Sequence, residues 1–412
     1  MKTNTKFREI VINRLLFSIG ILLLIRIGTF FPVPGINHSD LSFYIQRHST
    51  AKNFISTFSG ENTFVIGLFT LNIFPYINAT IFVQLLLGFS PKLGKLQKEG
   101  DFESRRVISR LTRVITLGWA IIQSIGITLY LRQVLFDWNY MLAVQIVLWL
   151  TTGAFIVLWL SELITDYGLG TGSSLLIYTN IISNLPNLFK KLISKNIEQF
   201  DFLSIFGLSL LILISLYGIV FLQEGIRKIP LISAKQLNQM SSQSTGKNYL
   251  PLRFNQAGVM PIILTTALLV IPNFIVSSGM IPEIKFLESF KFLYWIGYFA
   301  LILLFSSFYS SIVLNPKDLS DQLQKMAVTI PGIRPGLQTT FYLKQVIKRI
   351  TLIGATILGI LTVVPNFLES TFNITGLNGL STTSLLILAG VILDLTREVS
   401  NIYYSNIYNN RY

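Results

Sequence analysis

The chain has no cysteine and few ionisable residues for its length. Its 412 residues include two histidines and 19 acidic residues, and only 13% of all residues are charged. A soluble domain averages about 25% charged residues. The lack of cysteine excludes disulfide and thiol chemistry. The histidines, His38 and His48, lie in a polar loop at a spacing that does not form a helical metal pair, so we predict neither a metal nor a cofactor.

Motifs for catalysis are also missing. The sequence contains no nucleophile beside a paired base, no H-E-x-x-H, no glycine-rich loop followed by lysine and no G-x-S-x-G. The carboxylates nearest to apolar runs, Glu162, Asp166 and Asp394, lie near the ends of those runs. Because ion-coupled transporters usually need ionisable groups at membrane depth, these absences count against a transporter. We therefore predict that the protein is not an enzyme.

Long apolar runs dominate what is present. Hydrophobic residues make up 51% of the chain and the mean hydropathy is +0.59. A run of about 20 apolar residues is long enough to cross the hydrocarbon core of a bilayer. The pattern predicts an all-α polytopic membrane protein with ten transmembrane helices. We place these spans at about 15–33, 67–89, 110–131, 141–160, 173–189, 203–222, 257–276, 292–314, 346–367 and 382–399.

Basic residues are distributed unequally between the two faces that these spans define. The net charge is +14, and four basic residues precede the first span. No small-residue cleavage site follows that span, so we predict that it is not removed. With both termini on the cytosolic or stromal side, Lys and Arg are about three times as frequent in the segments on that side, as the positive-inside rule requires. Anionic lipid, RNA and an acidic protein are the candidate partners of such a surface.

An internal similarity divides the chain into two halves. The phrase "GLGTGSSLLI" at 168–177 opens the fifth span and "GLNGLSTTSLLI" at 376–387 opens the tenth. The two spans enter from opposite faces, which is typical of an inverted-topology repeat. Chance similarity of Gly- and Ser-rich text is the alternative. We predict an N-terminal half at 1–200 and a C-terminal half at 201–412.

Uncharged polar residues occur inside the spans. In the second span, Ile73, Ile77, Thr80 and Gln84 fall on one helical stripe, and Asn78 lies beside it. Amides in lipid are costly, so Asn78 and Gln84 should face protein or water. A hydrogen bond between helices would also explain these amides. The isoleucines on such helices are either packing residues or, if several of the helices converge, an apolar constriction within a polar cavity.

Two loops on the basic face have sequences that predict a local backbone structure. In "IPGIRPG" at 330–336, two Pro-Gly turns bracket Arg334, so the loop tip should be rigid and suited to contact with phosphate or carboxylate. The loop 224–256 carries Arg227, Lys228 and Lys235, and its residues are compatible with a hairpin. A merely solvated charged loop is the alternative.

Taken together, these phrases resemble the SecY family, called Sec61α in the eukaryotic endoplasmic reticulum. The matching stretches follow the family's order over nearly the whole chain. They are "RIGTFFPVPGI" at 26–36, "FSG" at 58–60, "PYINATIFVQLL" at 75–86, "GSSLLIY" at 172–178, "YLPLRFNQAGVMPIIL" at 249–264, "NPKDLSDQL" at 315–323, "IPGIRPG" and "TSLLILAGVILD" at 383–394.

The resemblance implies the SecY fold, an hourglass channel of two five-helix inverted-repeat halves through which unfolded polypeptides cross the membrane. The family's pore ring corresponds to Ile73, Ile77, Ile177, Ile181, Ile263 and Ile387. A plug that seals the pore would lie at about 51–65 and include Phe54, Phe58, Ser59 and Gly60. A lateral gate to lipid would include Asn78, Thr80, Gln123, Asn255, Thr265, Thr266 and Ile271.

The resemblance also implies partners. These are SecE and SecG-like subunits, the SecA motor ATPase or a translating ribosome as energy source, signal peptides and nascent chains, and membrane lipids. Docking of the motor or ribosome would use Arg227, Lys228, Lys235 and Arg334 on the loops 224–256 and 315–345. Composition rich in Ile, Asn, Phe, Tyr and Lys favours an algal plastid product of the thylakoid membrane over a bacterial plasma membrane. A secondary transporter and an insertase scaffold without a pore are the competing interpretations.

Overall fold

The computed structural model describes residues 2–34, 66–90, 93–94, 102–130, 139–183, 202–233, 248–256, 258, 260–265, 291–372 and 382–409. Within these ranges the chain is predominantly helical. Plug residues Phe54, Phe58, Ser59 and Gly60 lie outside the described residues, as do gate residues Thr266 and Ile271, docking residue Lys235, and both histidines.

The helices follow the predicted order of spans. They are α1 (Lys2–Gly28), α2 (Phe74–Phe89), α3 (Phe102–Tyr130), α4 (Tyr140–Tyr167), α5 (172–183), α6 (Phe202–Glu224), α7 (260–265), α8 (Lys291–Val313), α9 (Pro316–Lys325), α10 (Leu337–Phe372) and α11 (Thr382–Asn409). The strands are β1 (Ile226–Pro230), β2 (Ile232–Ser233), β3 (Tyr249–Arg253) and β4 (Val328–Thr329).

Several predicted boundaries were wrong. The second span does not begin at residue 67, because residues 67–73 form successive turns and α2 begins at Phe74, with Pro75 in its first turn. The first helix ends at Gly28 rather than at residue 33. Helices α10 and α11 both extend beyond the apolar windows that predicted them, to 36 and 28 residues. Hydropathy detects only the part of a helix that lies in lipid, so polar extensions escape it.

Five helical segments in the described part of the chain are long and apolar enough to cross a membrane. They are Arg8–Gly28, Phe102–Leu129, Tyr140–Tyr167, Trp295–Lys325, which runs from α8 to the end of α9, and Leu337–Pro365. Two shorter apolar helices are Phe74–Gly88 and Leu213–Glu224. Helix α4 has 28 residues, about 42 Å at 1.5 Å per residue. Its exposed side chains include Tyr140 at one end and Trp159 nearer the other, which is typical of aromatic residues at membrane interfaces.

The chain divides into two compact units. The N-terminal unit contains Met1–Ser194 and Val391–Tyr412, and the C-terminal unit contains Lys195–Gly390. In the N-terminal unit α2 packs on α3, α3 on α4, and α1 on α4. In the C-terminal unit α10 packs against α6, α8 and α9. Its core cluster combines Ile219 and Leu222 of α6 with Ile262, Ile302, Leu358 and Leu386 from four further helices.

Two small antiparallel sheets lie in the C-terminal unit, in the predicted basic loops. Strand β1 pairs with β3, and Ile226 lies opposite Arg253. Strand β2 pairs with β4, and Ile232 lies opposite Thr329. A second core cluster packs beneath them, with Ile229 and Leu252 from the sheets and Ile330, Leu343 and Ile347 from the following loop and α10. The hairpin expected in the 224–256 loop is therefore present.

Candidate functional site

The turn before α2 sets the position of the first predicted ring residue. Asn72 has a φ of 47°, in the left-handed region that asparagine tolerates better than most residues. Its Oδ1 accepts a hydrogen bond from the backbone N–H of Ile73 at 2.8 Å. Ile73 caps α2 and is 1% exposed, and Ile77 lies one turn later and is 6% exposed. The first two ring positions are thus buried within the fold.

A glycine-rich turn at 168–171 leads into α5 and fixes where Ile177 and Ile181 lie. A Cβ at Gly172 would lie 2.0 Å from the carbonyl oxygen of Ser161 in α4, so only glycine allows this close approach. The N–H of Gly172 donates to Oγ1 of Thr165 at 2.9 Å. Helix α5 therefore begins directly against the end of α4.

The structure brings α2 and α5 together through an amide pair. The Nδ2 of Asn72 donates to Oδ1 of Asn180 at 3.1 Å. Since Ile73 follows Asn72 and Ile181 follows Asn180, the hydrogen bond joins the turn that begins α2 to α5, beside four of the predicted ring residues. Ile177 and Ile181 are partly exposed, in contrast to Ile73 and Ile77.

The remaining two ring positions, Ile263 and Ile387, belong to the C-terminal unit. Each follows a fully buried residue, Ile262 in α7 and Leu386 in α11, and those two residues share one core cluster. Ile263 and Ile387 are themselves partly exposed. Helices α7 and α11 thus meet in the same core, and closure of a six-residue ring across the two units stays a prediction.

The predicted gate residues differ in how their polar atoms are used. The Oγ1 of Thr80 donates to the carbonyl of Ile77 at 2.8 Å, and Oγ1 of Thr265 donates to the carbonyl of Pro261 at 2.7 Å. These hydroxyls are therefore bonded within their own helices. The Nδ2 of Asn255 donates to the carbonyl of Gly258 at 2.9 Å, and Asn78 is half-buried.

Two glutamines stand out on the packed helices α2 and α3. The Oε1 atoms of Gln84 and Gln123 are buried and have no hydrogen-bond partner among the described residues. A buried amide oxygen without a partner costs about 1–3 kcal/mol. A donor that reached either oxygen would remove this cost. The gate position of Gln123 stays a prediction.

The loop around Arg334 is built as the Pro-Gly pattern predicts. Gly332 and Gly336 have φ values of 78° and 101°, which other residues rarely adopt. The Oγ1 of Thr339 donates to the carbonyl of Arg334 at 2.9 Å, and Oγ of Ser320 donates to the carbonyl of Gly336 at 3.1 Å. The backbone of the tip is held from two helices while the Arg334 side chain is exposed.

A groove with an apolar lining lies beside this tip. It encloses about 590 Å³ and is lined by Ile333, Leu337, Gln338, Phe341, Tyr342 and Gln345. Leu337 is 88% exposed and Phe341 is 64% exposed. On the neighbouring hairpin Arg227 and Lys228 are exposed, and Nζ of Lys228 lies 4.9 Å from the ring centroid of Tyr249. Basic and apolar side chains are thus displayed together.

Sequence reasoning missed the residues that hold helices to one another. Asn72 was not singled out, and neither was Ser310, whose hydroxyl pairs with that of Thr351 at 2.7 Å between α8 and α10. Both hydroxyls are buried. The only signal in the sequence was a cluster of small polar residues within apolar runs, and such clusters do not reveal their partners.

These features define a polytopic α-helical membrane protein, with polar side chains pairing its helices and a basic surface in its loops. A family model described as SecY matches residues 67–396. The chain is 58% identical over 98% of both chains to "Protein translocase subunit SecY" of Trieres chinensis. It is 42% identical over 96% of both chains to the protein of the same description from Guillardia theta. The chain belongs to the SecY family.

Further similarities agree with this assignment. "Protein translocase subunit SecY" of Synechococcus elongatus is 39% identical over 96% of this chain and 93% of that one. A solved structure described as "The structure of a protein conducting channel" has a TM-score of 0.67 at 17% identity and covers 97% of this chain and 94% of its own. A Sec61 chain in a canine ribosome–channel complex has a TM-score of 0.63 at 16% identity, with the same coverage. The fold is therefore the SecY fold.

Proposed function

We propose that this protein is the pore-forming subunit of a Sec protein translocase, which passes unfolded polypeptides across a membrane. The observation that carries the proposal is the family match over 67–396, together with 58% identity to a relative described as a translocase subunit. The protein works as a channel rather than an enzyme. Its task is to let a polypeptide through while ions stay out.

The pore constriction is formed by Ile73, Ile77, Ile177, Ile181, Ile263 and Ile387. Branched apolar side chains exclude ions because they offer no charge and no hydrogen-bond partner to replace the hydration shell. The hydrogen bond between Asn72 and Asn180 supports this role, because it places two isoleucine-bearing helices side by side. A plug at about 51–65 closes the pore further when no polypeptide is present.

Signal sequences leave the pore sideways, through a gate that includes Asn78, Gln123 and Asn255. A signal segment partitions into lipid because each buried CH₂ group contributes about 0.8 kcal/mol. The Oε1 of Gln123 has no hydrogen-bond partner among the described residues. This supports the assignment, since a helix contact that leaves a polar group unsatisfied costs less to part. The gate therefore needs no catalytic residue.

The energy comes from outside, from a SecA-type motor or a translating ribosome that docks on the basic loops. Arg334 at a tip held by two glycine turns, with the apolar groove beside it, supports docking of a partner that has both acidic and apolar side chains. Arg227 and Lys228 extend the basic surface. A SecE subunit, and a SecG-like subunit, complete the complex in the membrane.

The two halves, 1–200 and 201–412, act as an inverted repeat that opens about a hinge. The termini and the basic loops lie on the stromal or cytosolic side, as the positive-inside rule favours. Algal relatives at 58% and 42% identity support a plastid product of the thylakoid membrane, although cyanobacterial relatives at 39% keep the bacterial plasma membrane as the second location.

Site-specific crosslinking tests the proposal. A photoreactive amino acid is placed at Ile177 or Ile263, and a precursor protein is stalled during translocation. We expect crosslinks from both positions to the translocating chain. The matched control is Leu148 on α4, which is 60% exposed and should react with lipid only. Equal crosslinking from all three positions, or none from Ile177 and Ile263, would refute the pore assignment.

A further inference from the structure

Two asparagines that are not themselves ring residues lie next to the ring isoleucines of the N-terminal unit. Asn72 precedes Ile73 and Asn180 precedes Ile181. Their side chains are joined by a hydrogen bond of 3.1 Å, although 108 residues separate them along the chain. Asn72 is 5% exposed, so this polar contact is largely withdrawn from solvent.

Asn72 is bonded in two directions at once. Its Oδ1 accepts from the N–H of Ile73, the residue that caps α2, while its Nδ2 donates to Asn180 on α5. The positive φ of Asn72 turns the backbone sharply into the helix, and only Gly, Asn and Asp adopt this conformation at low cost. The same side chain therefore fixes the start of one helix and its link to the other.

A hydrogen bond can fix the register between two helices, which packing of isoleucines alone does not do. Burial of apolar side chains is favourable but has no preferred direction, so it does not by itself fix the register of one helix against another. A hydrogen bond requires a short distance and a narrow range of angles. The Asn72–Asn180 contact is such a bond, and it joins the turn that begins α2 to α5.

We propose that the Asn72–Asn180 hydrogen bond is a positioning element of the pore. It holds Ile73 and Ile77 in register against Ile177 and Ile181, so that this half of the constriction stays closed to ions. When a polypeptide separates the two helices, the amides are released to bind water or the passing backbone. The inference rests on the proposed function, because the only role it gives the asparagines is to position the ring isoleucines.

The test is a double-mutant cycle in reconstituted bilayers. Asn72→Gly removes the amide and keeps a residue that accepts the positive φ, and Asn180→Ala removes the acceptor without weakening the helix. The matched control is Thr179→Val on α5, whose hydroxyl bonds within its own helix to the carbonyl of Leu175 at 2.8 Å. Ion leak through the resting channel and the midpoint of thermal unfolding are both measured.

We expect each single asparagine variant to raise the ion leak by about three- to tenfold, the range that one hydrogen bond between membrane helices would produce. The double variant should leak no more than Asn72→Gly alone, since Asn180→Ala removes only the bond that Asn72→Gly has already removed. Thr179→Val should leak like the wild type.

Three outcomes would overturn the inference: single variants that leak like the wild type, leaks that multiply in the double variant, or an equal rise in Thr179→Val. Failure of the proposed function would look different. In that case the wild-type protein would not translocate a precursor, and the Ile77→Gly/Ile181→Gly variant in the same bilayers would not leak.

Discussion

The hydroxyl of Ser18 on α1 accepts a hydrogen bond from the backbone N–H of Leu169 at 2.9 Å. The same hydroxyl donates to the carbonyl of Arg14 at 2.9 Å, so it acts as both donor and acceptor. Ser18 and Leu169 are 5% and 4% exposed. One small side chain thus links the first helix to the turn that begins α5, the helix of Ile177 and Ile181.

Replacement of Ser18 by alanine should destabilise the protein by about 1–3 kcal/mol, because the buried N–H of Leu169 would lose its acceptor. The measurement is the free energy or midpoint of unfolding in detergent. The matched control is Thr152→Val on α4, whose exposed hydroxyl bonds only to the carbonyl of Leu148 in its own helix. If both variants were equally stable, the Ser18 contact would not be a structural link.

Replacement of Ile77 and Ile181 by glycine should raise ion leak through the resting channel, since glycine leaves a gap that hydrated ions can enter. Ile77 is 6% exposed and lies in a helix, so its replacement also costs about 3–6 kcal/mol of stability. Conductance is therefore compared at equal amounts of folded channel in planar bilayers.

The control for this leak is Ile182→Gly, a change of the same residue type on the same helix. Ile182 is 37% exposed and immediately follows the ring position Ile181. We expect its conductance to match that of the wild type. A double ring variant with unchanged conductance would count against the isoleucine constriction.

A disulfide between Asn78→Cys and Ile271→Cys should block translocation, because it would hold the lateral gate shut. The natural chain has no cysteine, so no other thiol competes. Translocation of a precursor into vesicles is measured before and after reduction, and reduction should restore it. The two single cysteine variants serve as controls. Efficient crosslinking that leaves transport intact would refute the gate assignment.

Replacement of Arg334 by alanine should weaken binding of the motor or ribosome by about 10- to 100-fold, the effect expected when a charged hydrogen bond is lost. Arg334→Lys should recover only part of the affinity, because lysine lacks the planar fork that contacts a carboxylate or phosphate at two points. Binding to vesicles that contain the channel is measured. Arg105→Ala, at an exposed basic residue on α3 outside the two docking loops, should bind normally; an equal loss there would indicate a general charge effect.

Much of the fold could be predicted from local patterns. Apolar runs predicted the membrane helices because the bilayer has a fixed thickness that a span must match. The Pro-Gly pattern predicted the rigid turn at Arg334, because the backbone angles of glycine at 332 and 336 are local properties. The hairpin of β1 and β3 was likewise anticipated from the composition of its loop.

Contacts between helices could not be predicted in the same way. The stripe of Ile73, Ile77 and Thr80 was visible, but the start of α2 was placed seven residues too early because turns 67–73 are as apolar as the helix. Thr80 and Thr265 are predicted gate residues, and the structure adds that their hydroxyls bond to carbonyls of their own helices. Hydropathy does not distinguish a hydroxyl that bonds within its helix from one that bonds across to another.

The sequence alone determined that this chain is a helical membrane protein, because span length, charge bias and short turn motifs are local and additive. Its resemblance to the SecY family came from whole phrases such as "PYINATIFVQLL" and "IPGIRPG". It also located the isoleucines. Only the tertiary structure decided which segments lie beside the isoleucines. The Asn72–Asn180 and Ser18–Leu169 hydrogen bonds show these neighbours. These contacts join residues that are 108 and 151 positions apart, and a pairing at such a separation depends on how the whole chain packs.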